Sequence, residues 1–378
     1  MAYLSSLSLT GFRNYDSTSI NGLGNQFIVL IGDNGAGKTN CLEGVSLLSP
    51  GRGLRGASVH DCQSQTCSTP WAVSGTIVDN DDDTTHLGVG RNPDNPSKKI
   101  IRADGDTIKN QSDLGDILRT MWLTPQMDGL FLQSSSERRR FLDRLVATFD
   151  PAHVGRMTRM EKATRERLSI LKQAHEKNMD ADATWLGGLE NIMAETSIAI
   201  SIARSDTVQK LQQIINHGFF KNFPIAQIDL QGDLEKTITN KSALEAEDYA
   251  RAQFESMRHV DGQIGRTHFG ITRTDMVATY TEKNANAAQC STGEQKALLT
   301  TIILAHAQMV AKRYGVPPVL LFDEVCAHFD TTKRDSLFEI LNDFGGQIWL
   351  TGQDETAFLS IQNKQIITIK NNRLTPCE

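Results

Sequence analysis

The stretch "GDNGAGKTN", residues 32–40, is the most specific motif in this 378-residue chain. Gly32, Gly37, Lys38 and Thr39 occupy the fixed positions of the phosphate-binding pattern G-x-x-x-x-G-K-[ST]. The apolar run "FIVLI" just before it predicts a buried strand, and "TNCLEGVSLL" predicts a helix that starts in the loop. A glycine-rich turn that matches by chance is the alternative, and the correct flanks disfavour it.

The loop predicts a bound nucleotide, which we expect to be ATP with Mg²⁺. Backbone N–H groups in such a loop, and the positive end of the helix behind it, face the phosphates. Lys38 would reach the terminal phosphates, where it also serves catalysis, and the Thr39 hydroxyl would bind the metal. The residues expected to line the nucleotide here are Gly32, Asn34, Gly35, Gly37, Lys38, Thr39 and Asn40.

Composition indicates an ordinary soluble protein. With 39% apolar residues the chain can bury a large core, and its length predicts about two or three domains. Neither a membrane-spanning apolar run nor a secretory signal is evident, so we expect a cytoplasmic protein without a membrane partner. The net charge of −6 argues against a uniformly basic protein that coats nucleic acid.

The six cysteines predict neither disulfides nor a zinc site. They stand at positions 41, 62, 67, 290, 326 and 377, with no C-x-x-C pair and no matching histidine spacing. Reduced thiols are therefore expected.

The pattern along the chain predicts an α/β fold in three segments. Residues 1–136 alternate short strands with turns around one helix, which predicts an ATPase lobe. Residues 137–260 have helical periodicity, and we expect an inserted, mostly helical arm whose hairpin turns within residues 178–188. Residues 261–378 predict a second ATPase lobe, because "VPPVLLFDEV" and "GGQIWLTG" read as central parallel strands.

A second nucleotide motif is the strand "VLLFDEV", residues 319–325. Asp323 and Glu324 end this strand, and parallel sheets bind ligands at the carboxyl ends of their strands. Asp323 would bind Mg²⁺ and Glu324 would polarise the attacking water. Taken alone, the same letters also fit a strand that simply meets its turn.

A third motif, "CSTGEQKALL" at residues 290–299, opens a long apolar helix. Ser291 and Gly293 stand at its N-terminus, where anions bind well. A capping box between Ser291 and Glu294 is the alternative.

The order of these motifs, followed by "AHFD" at residues 327–330, resembles the ABC-type ATPases. In that group the signature helix lies too far from its own P-loop to touch the ATP bound there, so the resemblance implies that two chains face each other. Ser291 follows Lys38 by 253 residues, an intermediate spacing. Together with "GFRNY" (11–15) and "RRRFLDRL" (138–145), the motifs resemble the RecF family of bacterial recombination mediators from end to end.

The resemblance implies an ABC-type ATPase head, with a P-loop sheet and an antiparallel strand subdomain, plus an inserted helical hairpin. It places Arg13 and Asn14 beside the nucleotide, although a surface turn is the alternative. Gln126, in "TPQMDGLF", would couple the γ-phosphate and the metal to the other lobe. Asp330 would reach across a dimer.

The sequence departs from the group's pattern in two places. Residues 270–273 read Gly-Ile-Thr-Arg where the family has Gly-Pro-His-Arg, so isoleucine and threonine replace the family's proline and histidine in that segment. Gln353 stands where ABC ATPases commonly have histidine. Glutamine hydrogen-bonds a γ-phosphate without carrying charge, which favours a slow ATPase that acts as a switch.

The family binds duplex and gapped DNA as an ATP-dependent homodimer. With RecO and RecR it loads recombinase in DNA repair, replication and the SOS response. Residues 137–177 hold eleven Lys or Arg against six Asp or Glu, enough for several phosphate contacts. The DNA-binding residues expected there are Arg138, Arg139, Arg140, Arg156 and Arg159.

Three alternatives stay open at this point. The arginines fit solvated helix faces equally well. The chain could be a transporter-like ATPase without a DNA role, or a clamp that ATP binding closes and hydrolysis merely resets.

Overall fold

The computed structural model describes residues 2–217, 220 and 222–377, and of Ser112 it describes the backbone alone. The chain forms two compact units. The first contains the residues up to Gly129, a short piece ending at Pro224, and the residues from Thr292 onward. The second contains Leu130–His217 and Ile225–Ser291. Residues 130–136 and 261–291, which the sequence analysis placed in the ATPase lobes, therefore lie in the second unit.

Fifteen strands and ten α-helices lie within the described residues. The strands are β1 (Tyr3–Phe12), β2 (Tyr15–Asn21), β3 (Phe27–Ile31), β4 (Ala72–Val78), β5 (Thr84–Arg91), β6 (Lys99–Ala103), β7 (Asp106–Thr107), β8 (Thr120–Leu123), β9 (Ala226–Gln231), β10 (Asp275–Tyr280), β11 (Ala285–Asn286), β12 (Val319–Phe322), β13 (Ile348–Gly352), β14 (Lys364–Lys370) and β15 (Arg373–Pro376). The helices are α1 (Lys38–Leu47), α2 (Leu114–Ile117), α3 (Ser135–Phe149), α4 (Ala152–Lys177), α5 (Ala183–Asn216), α6 (Asp233–Asn240), α7 (Ala243–Ser256), α8 (Arg258–Ile264), α9 (Thr292–Tyr314) and α10 (Thr331–Phe344). Over this part of the chain no helix combines the length and apolarity that a membrane span requires.

The first unit is built on a six-stranded sheet in the order β15-β14-β3-β13-β12-β8. All neighbours are parallel except β14 and β15. β12 is buried along its whole length and β3 and β13 along nearly all of theirs, as expected for central parallel strands that are covered on both faces. The register pairs Leu350 with both Phe322 and Val29, so β3, β12 and β13 end at the same edge.

A second six-stranded sheet, entirely antiparallel, follows the order β2-β1-β4-β5-β6-β7. Helix α1 contacts β1 and β4 of this sheet and also β8 and β13 of the parallel sheet. It is therefore buried on more than one face, and Cys41, Leu42 and Val45 are fully enclosed. Gly44 allows the close approach, because a Cβ there would lie 2.7 Å from Leu9 Cδ2.

A buried amide ties the two ends of this unit together. The Gln347 side chain, fully enclosed, accepts a hydrogen bond from Leu4 N (3.0 Å) and donates to Leu4 O (2.8 Å). It also donates to Gly24 O and accepts from Trp349 Nε1. Every hydrogen-bonding group of the amide is thus used, as burial requires.

The second unit is an antiparallel pair of long helices, α4 and α5, with a small sheet in the order β11-β10-β9. The turn between the helices is shorter than residues 178–188, because α5 already begins at Ala183. Asn178 ends α4 in a left-handed conformation, and Asp182 caps α5 by accepting from the N–H groups of Thr184 and Trp185.

The α4–α5 pair is crossed by a buried ionic network. Arg167, fully enclosed, pairs with Glu190 (2.9 Å) and Asp261 (2.6 Å) and donates to Phe254 O (2.6 Å). Arg258 also binds Glu190, and His268 binds Asp261. Removing one member of such a network leaves an uncompensated buried charge, which is costlier than the net contribution of the pair.

We predict that Arg167→Leu lowers the free energy of unfolding by about 3–5 kcal/mol, because Glu190 and Asp261 would remain buried without their shared cation. Urea denaturation followed by the circular dichroism of the helices measures the change. Arg165→Leu, on the exposed side of the same helix, is the matched control and should leave the midpoint in place. Equal midpoints for the two variants would contradict a structural role for the network.

Candidate nucleotide site

The P-loop joins β3 to α1, whose first residue is Lys38. Gly37 has φ 111°, in a region that L side chains rarely adopt. A Cβ at this position would also lie 2.6 Å from Asn14 Nδ2 and 2.7 Å from Tyr15 Oη. Glycine is therefore required here both by the backbone conformation and by the close packing of the turn after β1.

Lys38 is folded into the loop. Its side chain is 95% buried, and Nζ donates to Gly32 O (2.6 Å) and Asp33 O (3.0 Å). The ammonium group thus lies inside the ring of loop backbone, at the N-terminus of α1, where an anion would bind.

The structure brings together Asp323 and Thr39, the two residues expected to bind Mg²⁺. Thr39 Oγ1 donates to Asp323 Oδ2 (2.8 Å), although 284 positions separate them in sequence. A hydroxyl and a carboxylate side by side suit Mg²⁺, which takes one or two protein oxygens and completes its shell with phosphate oxygens and water. No group of three His, Cys, Asp or Glu that could hold a metal by itself occurs in the described ranges.

Glu324 is half-buried, directly after Asp323, and has φ 49°. Its N–H donates to Thr351 Oγ1 (2.8 Å), and its carbonyl oxygen accepts from Lys296 Nζ (3.0 Å). The catalytic carboxylate expected from the sequence is thus carried by a constrained backbone.

The two predicted glutamines also follow strands of the parallel sheet. Gln126 lies in a 3₁₀ turn, Pro125–Met127, just after β8, and its side chain is exposed. Gln353 follows β13, and its Nε2 donates to Asn34 Oδ1 in the P-loop (3.4 Å). Gln353 therefore contacts the loop that would hold the phosphates.

The turn between β1 and β2 contacts the P-loop, but Arg13 is already paired. Its guanidinium donates to both carboxylate oxygens of Glu43 in α1 (2.8 and 2.6 Å) and to Asp61 O. Burial lowers the pKa of Arg13, but the hydrogen bond and charge of Glu43 raise it above its usual value. Asn14 donates to Ala36 O (3.2 Å) and accepts from Asn40 (2.7 Å), so it lies directly against the loop.

The structure adds residues at this site that no motif indicated. Arg55 donates to Asn40 Oδ1 (2.6 Å) and to the buried Glu43 (2.8 Å). Asn372, in the hairpin turn after β14, accepts from Asn14 Nδ2 (2.7 Å). Glu43 offered a signal, since a carboxylate among the apolar neighbours Leu42 and Val45 predicts a basic partner, but no local pattern identifies Arg55 as that partner.

The residues expected to act across a dimer divide between the units. Ser291 ends the second unit, and Gly293 lies in the first turn of α9, where a Cβ would lie 3.4 Å from His328 O. Asp330 caps α10, with its carboxylate accepting from Lys333 N (2.8 Å). Their contribution to a partner's site stays a prediction.

The five predicted DNA-binding arginines are all in the second unit, and they differ in availability. Arg138 forms a two-pronged ion pair with Asp275 (2.8 and 2.6 Å), and Arg139 donates to Thr274 O (2.7 Å). These two hold α3 against β10 and the residue before it. Arg140 is 71% and Arg159 53% exposed, paired with Glu137 and Glu195, while Arg156 pairs with Asp150.

Comparisons with known proteins agree along the whole chain. The family model described as the RecF/RecN/SMC N terminal domain matches residues 3–375. A protein of Rhizobium rhizogenes named DNA replication and repair protein RecF is 40% identical over 376 residues, which cover 99% of this chain and 98% of that protein. A protein of the same name from Mesorhizobium japonicum is 38% identical over 379 residues, which cover 100% of this chain and 98% of that protein.

Solved structures show the same fold. The recombination mediator protein RecF with ATPrS in the RecFOR pathway has a TM-score of 0.86 at 19% identity, covering 100% of this chain and 98% of that one. An Smc head domain derived from Pyrococcus furiosus has a TM-score of 0.55 at 14% identity, with 100% and 96% coverage. The ABC-type ATPase head with an inserted helical unit, expected from the motifs, is thereby confirmed. With the family-model match and the identity to full-length relatives, the chain belongs to the RecF family within the RecF/RecN/SMC group.

Proposed function

We propose that this protein is an ATP-dependent DNA-binding recombination mediator. ATP with Mg²⁺ binds the P-loop, two copies close around the nucleotides, and the closed dimer holds duplex or gapped DNA. Slow hydrolysis then releases it. RecO and RecR are the partners expected with it at the step where recombinase is loaded onto single strands.

The observation that carries this proposal is the meeting of Thr39 and Asp323 beside the enclosed ammonium of Lys38. A nucleotide-binding loop alone would serve many functions. A loop whose threonine hydroxyl contacts the carboxylate at the end of a neighbouring strand has the parts for Mg-nucleotide hydrolysis. The relatives named DNA replication and repair protein RecF favour the mediator over a transporter-like ATPase.

Different residues of the chain have different roles in hydrolysis. Lys38 and the loop N–H groups neutralise phosphate charge, and Mg²⁺, when bound, adds charge neutralisation at the phosphoryl oxygens. Glu324 accepts the proton of the attacking water, which a carboxylate at the edge of the site is placed to do. Gln353 and Gln126 supply neutral hydrogen bonds, so a slow, switch-like turnover follows.

DNA contact would come from the exposed arginines of the second unit. Arg140 and Arg159 present most of their side chains to solvent, and their carboxylate partners Glu137 and Glu195 are 39% and 56% exposed. Ion pairs of this kind contribute little to stability, so a phosphate can take the place of the carboxylate. The described structure offers no base-reading element that we recognise, so backbone and shape recognition is expected.

We predict that Glu324→Gln binds ATP but traps the closed dimer on DNA. Glutamine retains the shape of the side chain but cannot accept the proton, while Lys38, Thr39 and Asp323 still hold the nucleotide. Single-turnover hydrolysis and the lifetime of the ATP-dependent DNA complex measure the effect. We expect the hydrolysis rate to fall by roughly 100-fold or more and the complex to outlast that of the wild type.

Glu339→Gln, an exposed position on α10, is the matched control and should hydrolyse ATP at the wild-type rate. A wild-type rate in Glu324→Gln itself would remove Glu324 from the role of base.

We also predict that Arg140→Gln with Arg159→Gln weakens DNA binding and flattens its salt dependence. Each lost phosphate contact should remove about one unit from the slope of log affinity against log salt concentration. Binding measured at several salt concentrations gives the slope, and ATP affinity should be unchanged.

The comparison variant is Arg138→Gln with Arg139→Gln. It should lower thermal stability, because Asp275 and the Thr274 carbonyl lose their donors, while its salt slope stays closer to that of the wild type. If only the Arg138 and Arg139 variant flattened the salt dependence, the DNA would contact the side of α3 that carries Arg138 and Arg139.

A further inference from the structure

The backbone of Glu324 is held on both sides of its Cα, at the N–H and at the C=O, by side chains from two different elements. Glu324 follows β12 with φ 49°, a left-handed conformation that few residues other than glycine, asparagine and aspartate adopt. A glutamate kept in such a conformation at a candidate catalytic position needs support from its surroundings. The supporting groups are Thr351 and Lys296.

Thr351 lies in β13, beside β12, and is 99% buried. Its Oγ1 accepts the Glu324 N–H (2.8 Å) and donates to Asp323 Oδ1 (2.8 Å). One hydroxyl therefore contacts both acidic residues: its proton is directed to the Asp323 carboxylate, and its lone pair accepts the Glu324 N–H.

Lys296 lies in the first turns of α9, and its side chain is 98% buried. Nζ donates to Glu324 O (3.0 Å) and pairs with Asp128 Oδ2 (3.2 Å), two residues after Gln126. A buried ammonium needs such partners. Burial raises the pKa of the Asp128 carboxyl, against the opposing effect of Lys296.

We propose that Thr351 and Lys296 are positioning residues for ATP hydrolysis, which clamp the backbone of Glu324 so that its carboxylate is held toward the attacking water. Neither touches the reacting atoms. Their effect is geometric, because small displacements of a catalytic group cost large factors in rate. The inference rests on the proposed ATPase function and adds two residues to it.

Lys296 also links the clamp to other segments, because it joins three segments of the first unit. The signature helix α9 carries it, the segment after Gln126 supplies Asp128, and Glu324 accepts from it. A movement of α9 would therefore be transmitted to the backbone of the catalytic residue.

The test compares Thr351→Val, which keeps shape but removes the hydroxyl, with Thr351→Ser, which keeps the hydroxyl. Thr351→Val should lower kcat by about 10–100-fold and change the ATP dissociation constant less than about 3-fold, and Thr351→Ser should restore most of the rate. Thr301→Val is the control, because that equally buried hydroxyl donates only to the carbonyls of Ala297 and Pro224. It should keep the wild-type rate.

Lys296 is tested together with its partner, as Lys296→Met with Asp128→Asn, so that no charge is left buried alone. This variant should show the same loss of kcat with retained ATP binding. Because Lys296 contacts the Glu324 carbonyl and Thr351 the Glu324 N–H, agreement between the two variants would assign the effect to the backbone of Glu324. It also keeps the proposal testable if Thr351→Val does not fold.

A double-mutant cycle separates the clamp from a purely structural role or an effect through Asp323. In a Glu324→Gln background, Thr351→Val should cause no further loss of the single-turnover rate, since the group it positions is already disabled. The same fold-loss in both backgrounds would overturn the clamp. A wild-type kcat in Thr351→Val, together with a disabled Glu324→Gln, would also overturn the clamp. That result would leave the proposed ATPase function intact.

Discussion

The hydrogen bonds that converge on Asp323 are the constraint on which the rest of the first unit depends. One carboxylate oxygen accepts from Thr39 in the P-loop and the other from Thr351 in β13. These contacts require β3, β12 and β13 to end at one edge, which the parallel register provides. A slip of one residue in any of the three would move the acid away from the loop. The order and register of the strands therefore determine which residues meet at the site.

That arrangement also explains the long interval between the motifs. β3 lies between β13 and β14, which are among the last strands of the chain, so the sheet is completed only when the C-terminal third is present. The second unit is inserted where the chain leaves and re-enters this sheet. It has its own buried core, including Met193, Ile200 and Phe254, and its own ionic network around Arg167.

Much of this could be predicted from the sequence, because strong local patterns decide it. The P-loop, the apolar strand ending in Asp323 and Glu324, and the helix opened by "STGEQ" are each specified by adjacent residues. The RecF resemblance, carried by these motifs, is confirmed by the comparisons.

What the sequence did not indicate depends on contacts between distant residues. Charge density in residues 137–177 did not distinguish Arg138, whose partner Asp275 lies 137 positions away, from the exposed Arg140. Thr351 and Lys296 look like ordinary members of a strand and a helix until the fold places Glu324 between them. The inserted unit extends to Ser291 because β9 and β10 pair across an interval that local patterns do not span.

We propose that each ATP site is completed by a second copy of the chain, through Ser291 and Gly293 of the partner. The most direct measurement mixes Lys38→Ala with Ser291→Arg, each expected to be nearly inactive alone, and follows ATPase activity across mixing ratios. In a mixed dimer one site combines both lesions, while the other pairs an intact Lys38 with an intact Ser291. We expect ATPase activity to return, with a maximum near equal amounts of the two variants. No recovery at any ratio, with mixed dimers shown to form, would contradict it.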